Sequence, residues 1–457
     1  MSHTLILQSA ARMYAILSNI ITDYQSFMKK YFLLLILLPV FASAQETLTL
    51  ENAVSIALEQ SYDVKVAKLQ QNIAATQVFK GNAGMLPRVD LNANMGTALN
   101  RVSQKLSNGT ETNRFGTSFA PTSNVALSWT LYDGKRMFAT LDRLKGQSQL
   151  SQIQTQQMME NTIIDVMQAY YEVMRQKQTV AFLQTVIKYY EERLTITDQR
   201  WQFGKGSKLD YLQSKTELNT QVTQLVQAKN ALKNAKVTLN NLLVRQPDLD
   251  FDVQELVGIM FDPSTEALKS QARAANKNLQ ALKKSTDISL IVQREVAALK
   301  LPRITLNSSF GYSLSKTNAG LFLYNQNIGL NTGLVATWNI FNGEIIRRQI
   351  QISKINTEIL RKQEEDLWTQ VESNIVRAHN QYQTDKELLK LEIENNEVAD
   401  ENLKISLEKF KLGGSTILEL NEAQRSLNTS LNRLTNARYN IKISELQLML
   451  LSGELVK

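Results

Sequence analysis

The sequence predicts a mainly α chain with a membrane β-barrel contribution: long antiparallel helices, four strands and two internal structural repeats. Three observations predict it. The stretch VALSWTLYDG at 125–134 recurs as LVATWNIFNG at 334–343, 209 residues further on. In each copy apolar residues alternate with others (Val125, Leu127, Trp129, Leu131; Leu334, Ala336, Trp338, Ile340), the period-2 pattern of a strand with one apolar face. After each glycine comes a long proline-free run rich in Gln, Glu, Lys, Leu and Ile, which reads as a very long helix. A length of 457 residues would otherwise suggest two or three globular domains, but duplication on this scale argues for one architecture made of two halves.

Residues 1–44 read as an N-terminal extension and a signal peptide at about 28–44. Lys29 and Lys30 form a basic start, 31–41 an apolar stretch, and Ala42-Ser43-Ala44 a small-residue cleavage site. Eleven apolar residues are too few for a membrane-spanning helix. Residues 1–27 precede a later methionine, Met28, and read as a misassigned start, with the mature chain beginning at Gln45.

The first repeat, 45–245, opens with Thr49 as N-cap of a helix at 49–85, ended by Pro87. A strand at 88–97 sets Val89, Leu91, Ala93 and Met95 against Arg88, Asp90, Asn92 and Asn94. Residues 98–123, rich in Asn, Ser, Thr and Gly, read as a loop before a strand at 124–132. A helix at 134–202, ~100 Å long at 1.5 Å per residue, is broken by Gly204-Lys205-Gly206, and a return helix fills 208–244. A connector at 246–266 holds Pro247 and Pro263.

The second repeat, 267–457, keeps the order. A helix at 267–300 meets Leu301-Pro302-Arg303, which matches Leu86-Pro87-Arg88 at offset 215. A strand at 303–314 sets Ile304, Leu306, Phe310 and Tyr312 against Thr305, Asn307, Ser309 and Ser313. A strand at 327–341, a long helix at 344–411, the turn Gly413-Gly414 and a helix at 415–451 complete the chain. All six prolines, Pro39 and Pro121 included, are expected at boundaries.

The return helices carry the packing signal. Tyr211, Leu218, Leu225, Leu232 and Leu239 recur every seven residues, as do Leu420, Leu427, Leu434, Ile441 and Leu448, 209 further on. Small residues follow three positions later at Ser214, Ala228 and Ala235, and at Ala423, Ser430, Ala437 and Ser444, giving a coiled-coil seam that permits close approach. Four strands cannot close a barrel alone, and closure is what removes strand edges in a membrane. Four amphipathic strands per chain therefore imply an oligomer. The aromatic, apolar faces of Trp129, Trp338, Phe310 and Tyr312 suit lipid better than water.

Composition excludes other classes. The formal charge is +8, with +6 beyond residue 44, and it is interspersed without an aromatic-basic stripe, so no nucleic-acid partner is expected. With no cysteine there is neither a disulfide nor an N-terminal lipid anchor. His3 and His379 stand alone, and the acids are spread at helical surface spacing, so no enzyme is expected. Gly204-Lys205-Gly206-Ser207 is too short for a phosphate loop. Met158, Met159, Met167 and Met174 lie near helical spacing and read as packing residues before metal ligands. No metal or cofactor is expected.

Across essentially all of the mature sequence the chain resembles the TolC-like outer-membrane efflux channels. The resemblance rests on LTLENAVSIALEQSYDV, both LPR junctions, the W-x-[LI]-[YF]-[DN]-G strand-to-helix steps, and the turns FGKGSKLDYL and LGGSTILEL. It implies a homotrimer in a Gram-negative outer membrane, with one 12-stranded β-barrel and an α-helical barrel through the periplasm. It also implies a periplasmic adaptor protein and an inner-membrane pump of RND, ABC or MFS type. The implied work is passive conduction of small molecules or drugs, with type I protein secretion as the alternative. A periplasmic coiled-coil scaffold or adaptor is the reading from a different class.

The resemblance further implies roles for residues. Gly204, Lys205, Gly206 and Ser207, with Leu412, Gly413, Gly414, Ser415 and Thr416, would form the adaptor-docking tip turns. Glu419 and Glu422 fall where the family places acidic aperture residues, and Asp210 is their counterpart in the first half. Three copies of each carboxylate around an axis would favour cations. The alternative is a plain first-turn acid, favoured by the helix dipole. Phe410 and Ser415 replace a tyrosine and an arginine of the best-studied branch, so closure here needs other contacts.

Overall fold

The computed structural model describes residues 47–254, 263–319 and 322–455, so the signal segment at 28–44, Pro39 and part of the connector lie outside the described residues. The chain divides into two compact units, the smaller taking residues up to Leu48 with Asp250–Asp252. Its described residues are Thr47, Leu48 and Asp250–Asp252, which hold β1 (Thr47–Leu48) and the first residue of β4 (Asp252–Val253). Everything below belongs to the larger unit.

Helix α1 (Leu50–Gln60) starts at Thr49, whose hydroxyl accepts from the Asn52 N–H. It stops at Ser61, and α2 (Tyr62–Gln77) follows, so the helix expected at 49–85 is instead two helices ending at Gln77. The same break recurs 215 residues on, where Asn276 separates α5 (Thr265–Ala275) from α6 (Lys277–Ala297) inside the helix expected at 267–300. Both breaks fall on a buried polar residue with extended ψ, 131° at Ser61 and 120° at Asn276. The Asn276 side chain accepts from the Asn278 and Leu279 N–H groups and donates to the Leu451 carbonyl. Asn276 thus ends one helix and caps the next without glycine or proline, whereas Ser61 makes the same break with no side-chain capping bond.

Four strands form one antiparallel sheet in the order β2-β3-β5-β6: β2 (Arg88–Lys105), β3 (Glu111–Tyr132), β5 (Arg303–Thr317) and β6 (Tyr324–Thr337). The loop expected at 98–123 is corrected to strand on both sides of a tight turn in which the Leu106 N–H donates to the Thr110 carbonyl. At 18 and 22 residues, β2 and β3 exceed the roughly 9–11 that cross a bilayer, so their outer parts keep strand pairing without apolar alternation. Pro121 is likewise no boundary. It sits opposite Met95 inside β3, where the β3–β5 register skips positions 120 and 121 because proline has no N–H to donate. The strand expected to reach 341 ends at Thr337, because β5 begins at Arg303 directly after Pro302 and offers nothing further to pair with.

The long helices are α3 (Arg136–Gln202) and α7 (Ile345–Lys411), 67 residues each, and the returns are α4 (Lys208–Leu242) and α8 (Ile417–Ser452). In α8 the whole seam from Leu420 to Leu448 is buried, together with Ala423, Ser430, Ala437 and Ser444. In α4 Ser214, Ala228 and Leu239 are buried, while Leu218, Leu225 and Leu232 are only half-buried. The cause is position: α8 packs against both α7 and α3, whereas α4 packs on α3. The upper helices repeat this, α6 lying against α3 and α7, and α2 against α3 with Tyr62, Val66, Leu69 and Ile73 exposed.

Inside this packing Glu160 of α3 is buried with Oε1 lacking a partner, and burial raises its pKa, only partly opposed by Lys277. A raised carboxyl binds its proton more tightly when folded. Its ionised form therefore costs stability above that pKa, and the cost vanishes as pH falls through it. Glu160→Gln is expected to raise the thermal midpoint at pH 7 and leave it unchanged in acid, read by circular dichroism.

Candidate functional site

Two helical hairpins end in turns of matched geometry. At the first, Gly204 takes φ +70°, the Lys205 N–H donates to the Arg200 carbonyl at 2.7 Å, and the Ser207 hydroxyl caps α4 by accepting from the Leu209 N–H. At the second, Gly413 takes φ +80°, the Gly414 N–H donates to the Lys409 carbonyl at 2.8 Å, and Thr416 caps α8. Glycine occupies the left-handed position in both because a side chain there would be strained. Phe203, Leu209, Leu412 and Leu418 are exposed around the turns, and Trp201 stacks on Tyr211 with Lys208 over the indole.

The three acids singled out from sequence stand differently. Glu419 completes a capping box: its carboxylate accepts from the Thr416 N–H at 3.2 Å, and its own N–H donates to the Thr416 hydroxyl at 3.3 Å. Asp210 is half-buried in the first turn of α4, and Glu422, one turn into α8, is exposed. The first-turn role and an aperture role are compatible for Glu419, but Glu422 is the freer acid. Ser415 Oγ is buried without a partner.

Cross-hairpin contacts that sequence reading did not find dominate the region above the turns. Arg200 lies 4.3 Å over the Phe410 ring and donates to the Phe410 carbonyl, joining α3 to the end of α7. Lys411 of α7 is 2.6 Å from both Glu192 of α3 and Glu408, and these hydrogen bonds raise its pKa. Arg193 of α3 is fully buried, and its Nη1 donates to Glu217 of α4 at 2.6 Å and to Asn421 and Gln424 (2.8 Å) of α8. Burial pushes the neighbouring Tyr190 phenol up, helped by Glu217 and opposed by Arg193 and Arg425. Little in the sequence marks the Arg193 contacts: at offset 209 the counterparts of Arg193 and Glu217 are Asn402 and Ser426, among many other differences between the halves.

The sheet has two chemically distinct faces. Leu91, Val125, Phe310 and Leu330 lie in one row across all four strands, and Trp129, Leu306 and Leu334 in another. The alternate rows are polar: Asn94, Thr122, Ser313 and Asn327, then Asn92 with Asn124, whose side chains are 3.1 Å apart. Tyr312 stands on the apolar side opposite Ile328. Trp129 donates its indole N–H to the Met85 carbonyl and Trp338 to the Lys300 carbonyl, both at 3.0 Å and 215 residues apart on the accepting side. Each tryptophan thus clamps a strand-to-helix step to a helix-to-strand step, and Trp338 does so from outside β6. No described helix is long and apolar enough to cross a membrane. Among the described residues no group of side chains could hold a metal ion.

The sequence profile described as outer membrane efflux protein matches residues 53–244 and again 268–454. The chain is similar to outer membrane protein TolC of Vibrio cholerae, 24% identical over 92% of this chain and 95% of the relative. It is also similar to the alkaline protease secretion protein AprF of Pseudomonas aeruginosa, 23% identical over 89% of this chain and 86% of the relative. The fold matches the CmeC outer membrane channel of Campylobacter jejuni with a TM-score of 0.71, at 17% identity over 88% of this chain and 85% of that one.

Proposed function

The chain belongs to the outer membrane efflux protein family, and we propose that three copies assemble into one outer-membrane duct that passively carries small molecules outward. The observation that carries this is a set of unfinished surfaces that the repeat itself explains. Phe182, Tyr189 and Ile196 of α3 pack against buried clusters that include or border α8. Their counterparts on α7 at offset 209, Leu391, Val398 and Ile405, are exposed. The residues of α4 at the matching place, Leu212, Val222 and Val226, are exposed too. The α4 of a second copy fits α7 as α8 fits α3, and in the sheet β2 and β6 are left as open edges that two copies would pair. In this reading Phe310, Tyr312, Trp129 and Trp338 meet outer-membrane lipid, and the polar rows line the lumen.

The turns at 203–207 and 412–416 then form the tip that receives a periplasmic adaptor fed by an inner-membrane pump, with Gly204, Lys205, Gly206, Ser207, Leu412, Gly413, Gly414, Ser415 and Thr416 presented to it. Glu419 and Glu422, with Asp210, put carboxylates near the axis in every copy. Similarity to a protease secretion protein makes protein export the second reading of the same duct.

Planar-bilayer conductance of residues 45–457, taken beside the mass in detergent, tests the assembly: a trimer with stable openings is expected, and a monomer without conductance would reject it. Glu419→Ala combined with Glu422→Ala is expected to reduce cation selectivity severalfold, read as a smaller reversal potential under a salt gradient. An unchanged reversal potential would remove these acids from the aperture.

A further inference from the structure

We infer that Arg101 and Lys316 hold the two phosphates of a diphosphorylated glycolipid of the outer leaflet, so that the barrel carries a lipid collar at its outer rim. The inference rests on the trimeric duct proposed above. Thr97, Phe119, Lys316 and Tyr324 form one row across all four strands, on the same face as Leu91, Val125, Phe310 and Leu330. Ten positions separate Lys316 from Leu306, which lies in the row of Trp129 and Leu334. That is ~33 Å along the strand at ~3.3 Å per residue, and ~25 Å across the membrane at a tilt of ~40°. An apolar band of about that height, flanked by aromatic side chains, is what a membrane barrel presents to lipid. The Trp129 row adjoins the helices, so the row of Phe119, Lys316 and Tyr324 is the outer limit of the band. Between the two rows this face carries no Asp, Glu, Lys or Arg. The first charge at the outer limit is Lys316, and Arg101 lies ~10 Å higher, four positions beyond Thr97 on β2.

Both cations are exposed, and the chain gives neither a counter-charge. Lys105, near the hairpin end of the same face, is paired with Glu111 at 2.5 Å, and Arg88 on the opposite face is paired with Asp90 at 2.8 Å. Arg101 and Lys316 have no carboxylate partner among the described residues. Arg101 is nonetheless held in place. Its guanidinium lies 5.8 Å from the centre of the Phe115 ring, and its Nε donates to Asn113 Oδ1 at 3.0 Å. That leaves the two Nη groups, a planar fork that fits the oxygens of a phosphate. Lys316, flanked by Phe119 and Tyr324, can lay its stem on apolar surface and carry its ammonium to headgroup level. The two backbone positions are two strands and four residues apart, ~16 Å, which long side chains bring to the span of a headgroup phosphorylated at both ends. At a lipid interface the dielectric is lower than in water, so an unpaired cation gains more from an anion there. The outer leaflet of a Gram-negative outer membrane, built of phosphorylated glycolipid, supplies that anion at that level.

The test is native mass spectrometry of residues 45–457 in detergent, titrated with lipid A, with monophosphoryl lipid A and with phosphatidylglycerol. Lipid A is expected to bind at one molecule per copy, and each of the other two lipids at least about fivefold more weakly. Arg101→Gln combined with Lys316→Gln is expected to weaken lipid A binding at least about tenfold while trimer mass and conductance stay as they were, because neither residue faces the lumen or the tip. Arg88→Gln, on the opposite face of the same strand, should bind lipid A like the unsubstituted protein. Equal binding of lipid A and monophosphoryl lipid A, or undiminished binding by the double variant, overturns the inference. Complete displacement of lipid A by inorganic pyrophosphate would place a free anion at these cations and also overturn it. If the double variant does not assemble, the lipid series on unsubstituted protein decides by itself. A conducting trimer indifferent to the number of phosphates overturns this inference and leaves the duct standing. Unsubstituted protein that is neither trimeric nor conducting rejects the duct, and this inference with it.

Discussion

Val398→Asp is expected to leave the chain helical and to turn trimers into single copies. Val398 is 63% exposed in the isolated chain, at the place where its repeat counterpart Tyr189 packs beside the buried cluster around Leu403 and Leu420. In the duct it becomes interior. Burying a valine contributes roughly 1.5–3 kcal/mol, and that is lost. The carboxylate that replaces it must leave water beside Leu212 and Val222 of the next copy with no partner, a penalty of several kcal/mol per ion. A closed trimer has this seam three times, so the total exceeds what such an interface can absorb. The check is mass in detergent beside far-ultraviolet circular dichroism, with Val398→Leu as the control that should stay trimeric. A trimeric Val398→Asp protein would mean that α7 meets its neighbour through some other face.

The same comparison of halves explains what was legible in the sequence. The long helices were readable because neither 136–202 nor 345–411 contains proline and each ends near a glycine in the left-handed region. The seam of α8 was readable because burial on two sides enforces a strict seven-residue period. The breaks at Ser61 and Asn276 were not, since a lone polar residue in mid-helix looks like any polar surface position. Only their shared offset of 215 marks them as equivalent. The outer parts of β2 and β3 were missed because a strand paired by its backbone needs no apolar face once it leaves the membrane band. At the tip the acids are proposed from the family's pattern alone, whereas the Arg193 node was not legible, because its partners lie 24, 228 and 231 residues away. Periodicity reports one helix against its surroundings. A node joining three helices leaves no period.

The two strand-to-helix steps offer the second large contrast, since they match in sequence and differ in surroundings. Gly134 and Gly343 both sit at positive φ, +71° and +64°, each followed by another left-handed residue, Lys135 or Glu344. A Cβ on Gly343 would meet nothing within 4 Å. On Gly134 it would lie 2.7 Å from the Ala298 carbonyl oxygen and 2.7 Å from Leu301 Cβ, where the end of α6 turns into β5. Gly343→Ala therefore meets backbone strain alone, roughly 1–2 kcal/mol. Gly134→Ala meets the same strain plus a clash with a backbone carbonyl that has no rotamer to escape by, adding about 1–3 kcal/mol. Its effect is expected to spread, because the crowded segment is the one that launches β5, the partner of β3 in the sheet. Thermal midpoints of the two variants should fall in that order, with Gly134→Ala also reducing the yield of assembled trimer. Equal losses at both glycines would mean that the first step is no tighter than the second, and that the junction between the two repeats is held by the Trp129 and Trp338 clamps alone.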